Sequence, residues 1–241
     1  MTLISGIGTQ RVTREDLALL PMPERTASFQ PIRHSDFIAN VEEALSFRHI
    51  SIVQEDFAVS DDGMKMFSTL QVNSDYEGVS FVIGCRNSND KSFRLGMVCG
   101  YRVMVCSNLS FHGDFTPLSA KHTKMFNLEE AVALGVDRTQ RQWAPIREAI
   151  DRKRTLEISD DNARVALYKL FTAAKMPISL FRTVHNEYFG EQPIAEFAAR
   201  TVWSLENSVT SAIKKLKPVA QYDATARLGK FVSKELLALP A

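Results

Sequence analysis

The apolar residues of this 241-residue chain change their spacing once, near Asn127, and that change of period restricts the fold more than any other feature. Before it, short apolar runs alternate with turn-forming clusters. Ile50, Ile52, Phe57 and Val59 mark a strand over His49–Val59, and Ser60-Asp61-Asp62-Gly63 follows as a turn. Met64–Val72 returns, Asn73–Gly78 turns again, and Val79–Cys85 makes a third strand. Runs of this length bounded by Gly, Asn, Asp and Ser are what hairpins require. Phe93–Asn108 is longer and holds Gly96 and Gly100, so it reads as one bent strand or two short ones.

Past Asn127 the period becomes helical. Leu128 to about Thr155 is one such stretch, with Pro145 as an expected break. Ser159 or Asp160 caps a helix running to Met176, and Ser179–Phe189 is a short one ending at Gly190. In Pro193–Leu216, Ala198, Val202, Leu205, Val209, Ala212 and Leu216 recur at helical spacing, and Thr225–Leu239 closes the chain. Ahead of the strands, Ser35 caps a helix carrying Phe37, Ile38, Val41, Ala44 and Leu45. Segregated strands and helices give an α+β class: an N-terminal helix, an antiparallel β-meander of four to five strands, then a C-terminal helical half. Residues 1–31, interrupted by Gly6, Gly8, Pro21, Pro23 and Pro31, read as an N-terminal arm in which only Arg14–Leu20 can form a helix. Residues 32–126 form the sheet region. Residues 127–241 form a helical region packed on it, in a single compact domain.

Hydrophobic residues at 45% and charged residues at 24% exclude wholesale disorder. The three cysteines, Cys85, Cys99 and Cys106, are odd in number and lie in apolar runs, so buried thiols in a reducing cytoplasm are expected rather than disulfides. Met1–Gln10 lacks the charged and apolar blocks of a targeting segment, and no apolar run approaches the about 18 residues that span a bilayer. A net charge of +1 gives no global attraction for polyanions, but the local balance is uneven. Asp36–Glu77 holds nine acids against Arg48 and Lys65, a net −7. Arg86–Lys124 holds six bases against Asp90 and Asp114, a net +4. One acidic and one basic surface are expected.

The basic stretch is also the one with candidate chemistry. Between Gly84 and His122, clusters of Asn, Ser and Gly alternate with apolar runs. Such loops supply amides and backbone N–H groups to phosphate oxygens. Candidate nucleic-acid contacts are Arg86, Asn87, Asn89, Lys91, Arg94, Arg102, Asn108, Lys121 and Lys124, with Phe93, Tyr101, Phe111 and Phe115 as stacking partners for bases. The same residues read more plainly as turn formers, core aromatics and solvated bases. His112, Asp114 and His122 do not match a closed metal site, and Cys106 lies in an apolar run where thiols are inert. Gly6 and Gly8 precede no lysine, so they form no phosphate-binding loop. No catalytic residue, metal or cofactor is assigned. Trp203 reads as core. Asn207, Ser208, Thr210 and Ser211 read as a polar flank for a groove or another subunit, and Arg152-Lys153-Arg154 as a solvated helix end.

The stretches PIRHSDFIANVEEAL, IGCRNSNDKSFRLGMVCGYRVMVCSNLSF, HGDF, KHT and TVWSLENSVT resemble the phage- and plasmid-borne proteins grouped as domain of unknown function 932, over about Pro31–Thr210. That resemblance carries no catalytic residues. It implies a mobile genetic element and a role in DNA maintenance, repair, recombination or conflict with a host. In element order alone, the chain is also similar to single-strand annealing proteins of the lambda Red beta type, which form rings or filaments on DNA. The expected function is therefore non-enzymatic binding or annealing of single-stranded DNA by a cytoplasmic homo-oligomer. The alternatives are a protein-interaction module that inhibits a host defence or repair complex, and an unrecognised enzyme using His112 and Asp114.

Overall fold

The computed structural model describes residues 9–104, 108–111, 116–191, 194–216 and 218–238. Its elements in chain order are β1 (Thr9–Val12), α1 (Arg14–Leu19), α2 (His34–Ser46), β2 (Ile52–Ser60), β3 (Lys65–Val72), β4 (Val79–Ser88), β5 (Leu95–Val103), β6 (Asn108–Phe111), β7 (Leu118–Ala120), α3 (Leu128–Thr155), α4 (Asp160–Thr172), α5 (Phe181–Phe189), α6 (Val202–Ile213) and α7 (Pro218–Phe231). The class is α+β with an antiparallel sheet. The order departs from a helix followed by a meander, because β1 comes first and the strands outnumber the expected four to five. The chain falls into two compact units, the described residues of 1–101 with 115–143, and those of 102–114 with 144–241.

In the first unit, strands lie in the order β1-β2-β3-β4-β5, with β7 paired to β5. The ladders β1–β2, β2–β3, β3–β4 and β5–β7 are antiparallel. Gly63 turns β2 into β3 at φ +68°, a left-handed conformation that glycine adopts without a Cβ clash. The expected N-terminal arm is instead tied down. β1 pairs Thr9↔Ser60 to Val12↔Phe57, and Arg11 bonds the buried carboxylate of Asp56. Thr13 caps α1 through a reciprocal bond with Asp16, and Arg14 on that helix bridges Glu42 and Glu55. Three carboxylates of the acidic segment are thus neutralised by arginines that precede it. Phe37, Ile38, Val41 and Leu45 form the buried face of α2. Gly135 on α3 lets Met97 and Leu118 approach, since a Cβ there would stand 3.1 Å from the Met97 sulfur. Phe81 stacks on Trp143 at 5.2 Å and 16°.

The second unit is a helical core built on Leu167, Leu170, Val184, Tyr188, Leu205, Val209, Ala212 and Leu228. Pro145 does not interrupt α3, which is continuous from Leu128 to Thr155. α6 starts at Val202 rather than Pro193 because Thr201 caps it, accepting from Ser204 N–H. Ahead of that cap, Ala195–Phe197 make a short 3₁₀ turn, and Thr201 is bridged to Glu157. The polar flank of α6 faces inward. Asn207, Ser208 and Thr210 are buried and return hydrogen bonds to carbonyls of their own helix. Nor is the basic run at the end of α3 a solvated terminus. Lys153 is buried and donates to Glu206 at 2.6 Å, and Ser110 donates to the same carboxylate at 3.2 Å.

Candidate functional site

Antiparallel pairing of β5 with β7 sets the geometry of the site. The ladder matches Leu95 with Ala120, Gly96 with Ser119 and Met97 with Leu118. Arg94 and Lys121 each lie one residue outside the end pair Leu95↔Ala120 of that ladder. Both line a cleft of about 420 Å³ with Ser28, Phe29, Lys91, Ser92, Phe93, His122 and Thr123. Among these described residues there is no Asp or Glu.

Three stretches of chain meet there, and buried asparagines hold one of them. The Asn89 side chain accepts from Ile32 N–H at 3.1 Å and donates to Ile32 C=O at 3.0 Å, an amide mimicking a neighbouring strand. Asn87 donates to the same carbonyl at 2.8 Å and to His34 Nδ1 at 2.9 Å. With Nδ1 accepting, His34 Nε2–H donates to Gly63 C=O at 3.0 Å, which fixes the neutral imidazole. Gln30 N–H then donates to His122 C=O at 3.1 Å, tying the held segment to the stretch after β7. Phe29 is thereby placed at the cleft, its ring edge-on to His122 at 5.6 Å and beneath the Lys91 ammonium at 4.6 Å. On the other side, Phe93 packs against Phe67 at 5.3 Å and under the Arg86 guanidinium at 5.5 Å.

The nearest acid in sequence is engaged elsewhere. Asp90 pairs with Lys65 at 2.8 Å and accepts from Ser88 Oγ and Ser92 N–H. Burial alone raises its carboxyl, but the bonds from Lys65, Ser88 and Ser92 outweigh that and hold it well below the ordinary carboxylate range. Burial lowers both His34 and His122, the latter further through the neighbouring His34. His122 is 6% exposed, and its Nε2 has no hydrogen-bond partner. Lys91 sits in the left-handed region at φ +67°, where a non-glycine residue carries a conformational cost of about 1 kcal/mol.

Of the residues singled out from the sequence, Lys91, Arg94 and Lys121 share the cleft, and Arg86 backs one of its walls through Phe93. Lys124 is exposed and next to the lining residue Thr123. Asn87 and Asn89 do not offer amides to solvent, being 0% and 3% exposed and committed to Ile32 and His34. Arg102 is half-buried in the other unit. The Asn108 side chain, Cys106, His112, Asp114, Phe115 and the Phe111 ring lie outside the described residues. Tyr101 is buried, 5% exposed, which removes it as a stacking surface. Phe29 and Ser28 carried no signal in the sequence, and His122 was weighed only as a metal ligand. Cys85 and Cys99 are free, buried thiols pushed up to about 12 by desolvation, so they are poor nucleophiles. Among the described residues no cluster of His, Cys, Asp and Glu could hold a metal ion, and no helix is long and apolar enough to cross a membrane.

Compared with known proteins, the chain matches no family model, no curated protein and no solved structure. The resemblance to domain of unknown function 932 therefore rests on the quoted stretches.

Proposed function

We propose that this protein binds single-stranded nucleic acid through the cleft and performs no chemistry on it. The observation carrying this reading is the gathering of three like charges, Lys91, Arg94 and Lys121, around one cleft with no carboxylate among its lining residues, where they repel each other. Repulsion of that kind is relieved by a bound polyanion, and phosphate is the anion that spaced cations with flanking hydroxyls suit. The resemblance to mobile-element proteins extends the proposal to single-stranded DNA in recombination or repair, with the protein acting as a homo-oligomeric ring or filament. Two measurements test it together: binding of a fluorescent oligothymidylate, and particle size with and without that strand. Binding with growth of the particle supports the whole reading. Binding without growth removes the oligomer, and absence of binding removes the function.

A second reading is an interaction module for a host protein. Its support is a set of exposed apolar residues in the second unit: Val165 and Tyr168 on α4, Ile178 just ahead of α5 and Phe181 at its start. Recovery of one stoichiometric protein from host lysate, free of nucleic acid, favours it.

A further inference from the structure

The cleft's charge and its aromatic rings point to different parts of a nucleic acid. Rings grip a strand by offering open faces on which bases stack. Here both rings are already engaged. Phe29 carries the Lys91 ammonium at 4.6 Å and the edge of His122, while Phe93 lies between Phe67 and Arg86. What the cleft presents is a concentration of donors. Lys91, Arg94 and Lys121 line one concavity with the hydroxyl-bearing Ser28, Ser92 and Thr123. His122 lines it too, with a ring nitrogen that lacks a partner although the side chain is more than nine-tenths buried. A buried polar atom left unpaired is unfavourable, and a ligand reaching into the cleft can complete its bonding.

A phosphodiester inside a strand brings one negative charge and two unesterified oxygens. A phosphomonoester brings a charge of about −1.5 to −2 and three strong acceptors. Three cations around one concavity exceed what a single diester neutralises and are better balanced by a monoester.

Resting on the nucleic-acid reading above, we propose that the cleft takes the terminal phosphomonoester of a strand in preference to its internal phosphodiesters. Such a site holds the protein at strand ends produced by nucleases, which is where annealing begins.

The test uses one labelled short oligothymidylate in three forms: 5′-phosphorylated, 3′-phosphorylated, and with hydroxyls at both ends. Their affinities are measured by fluorescence anisotropy at fixed salt and pH. A terminal phosphate is expected to strengthen binding about tenfold, the effect of one added charge-assisted contact. Arg94→Ala and Lys121→Ala are expected to abolish that gain. Equal affinity for all three forms overturns end recognition and leaves the nucleic-acid reading standing. If none binds, both fall. A phosphoserine peptide that binds as tightly as the phosphorylated strand overturns the strand end, because the ligand is then a protein-borne monoester.

Discussion

Lys121→Ala separates a functional cleft from a merely solvated one, because the account predicts opposite signs for stability and binding. In the folded protein Lys121 lines one cleft with Arg94 and Lys91. Exposed like charges lining one water-facing cleft repel weakly, by a few tenths of a kcal/mol once screened at ordinary salt. Removing Lys121 relieves its repulsion with Arg94 and part of that with Lys91. The substitution is therefore expected to stabilise the protein by about 0.5 kcal/mol at low salt, with the gain fading as salt rises. Single-strand affinity is expected to fall at the same time, and the slope of log affinity against log salt to shrink by about 0.7, the share of one phosphate contact. Urea denaturation at low and high salt reads the first effect, and anisotropy titrations read the second. A variant that is less stable at low salt, or one that binds as tightly as the parent, refutes the reasoning.

Asn89→Ala leaves the buried Ile32 N–H without its acceptor, so it is expected to cost about 2 kcal/mol in urea denaturation and to weaken binding by freeing the segment that carries Phe29. Loss of binding at unchanged stability would place Asn89 in direct contact with ligand instead. In the second unit, Lys153→Met alone removes the counter-ion of the buried Glu206 carboxylate and is expected to cost about 3–5 kcal/mol, while adding Glu206→Leu recovers most of it. A double variant as unstable as the single one contradicts this. Stability is also expected to fall as pH drops below about 6.5, the unfolded histidine value. His34 and His122 are both lowered in the fold, so the unfolded chain takes up protons first, and acidification favours it. His122→Phe is expected to flatten that dependence, and a urea midpoint that stays level from pH 7.5 to 5.5 in the parent protein argues against it.

Long elements with many repeats of their period were legible in the sequence. β3 was expected over Met64–Val72 and runs Lys65–Val72, and α4 begins at the Ser159 cap. Short elements were not. β1 and β7 have four and three residues, too few for alternation to register, and their pairing partners are distant. α6 misled because Ala198 fits the helical spacing, yet Ala195–Phe197 form only a short 3₁₀ turn and the bond at Thr201 fixes the helix start at Val202. At the site, the cations were readable as a basic segment, and three of them do converge. The asparagines were not. The residues that make good phosphate ligands also make good backbone mimics, and only long-range contact with Ile32 decides between the roles. The same holds for Arg152-Lys153-Arg154, where burial of Glu206 draws the middle lysine inward.

The central claim is that Lys91, Arg94 and Lys121 act together on a polyanion. Its most direct test is the salt dependence of oligothymidylate binding in the parent protein and in the triple variant Lys91→Ala, Arg94→Ala, Lys121→Ala. Three contacts on a single strand predict a log–log slope of about −2, falling close to zero in the variant. A slope that survives the triple substitution, or a parent protein whose binding ignores salt, contradicts the claim.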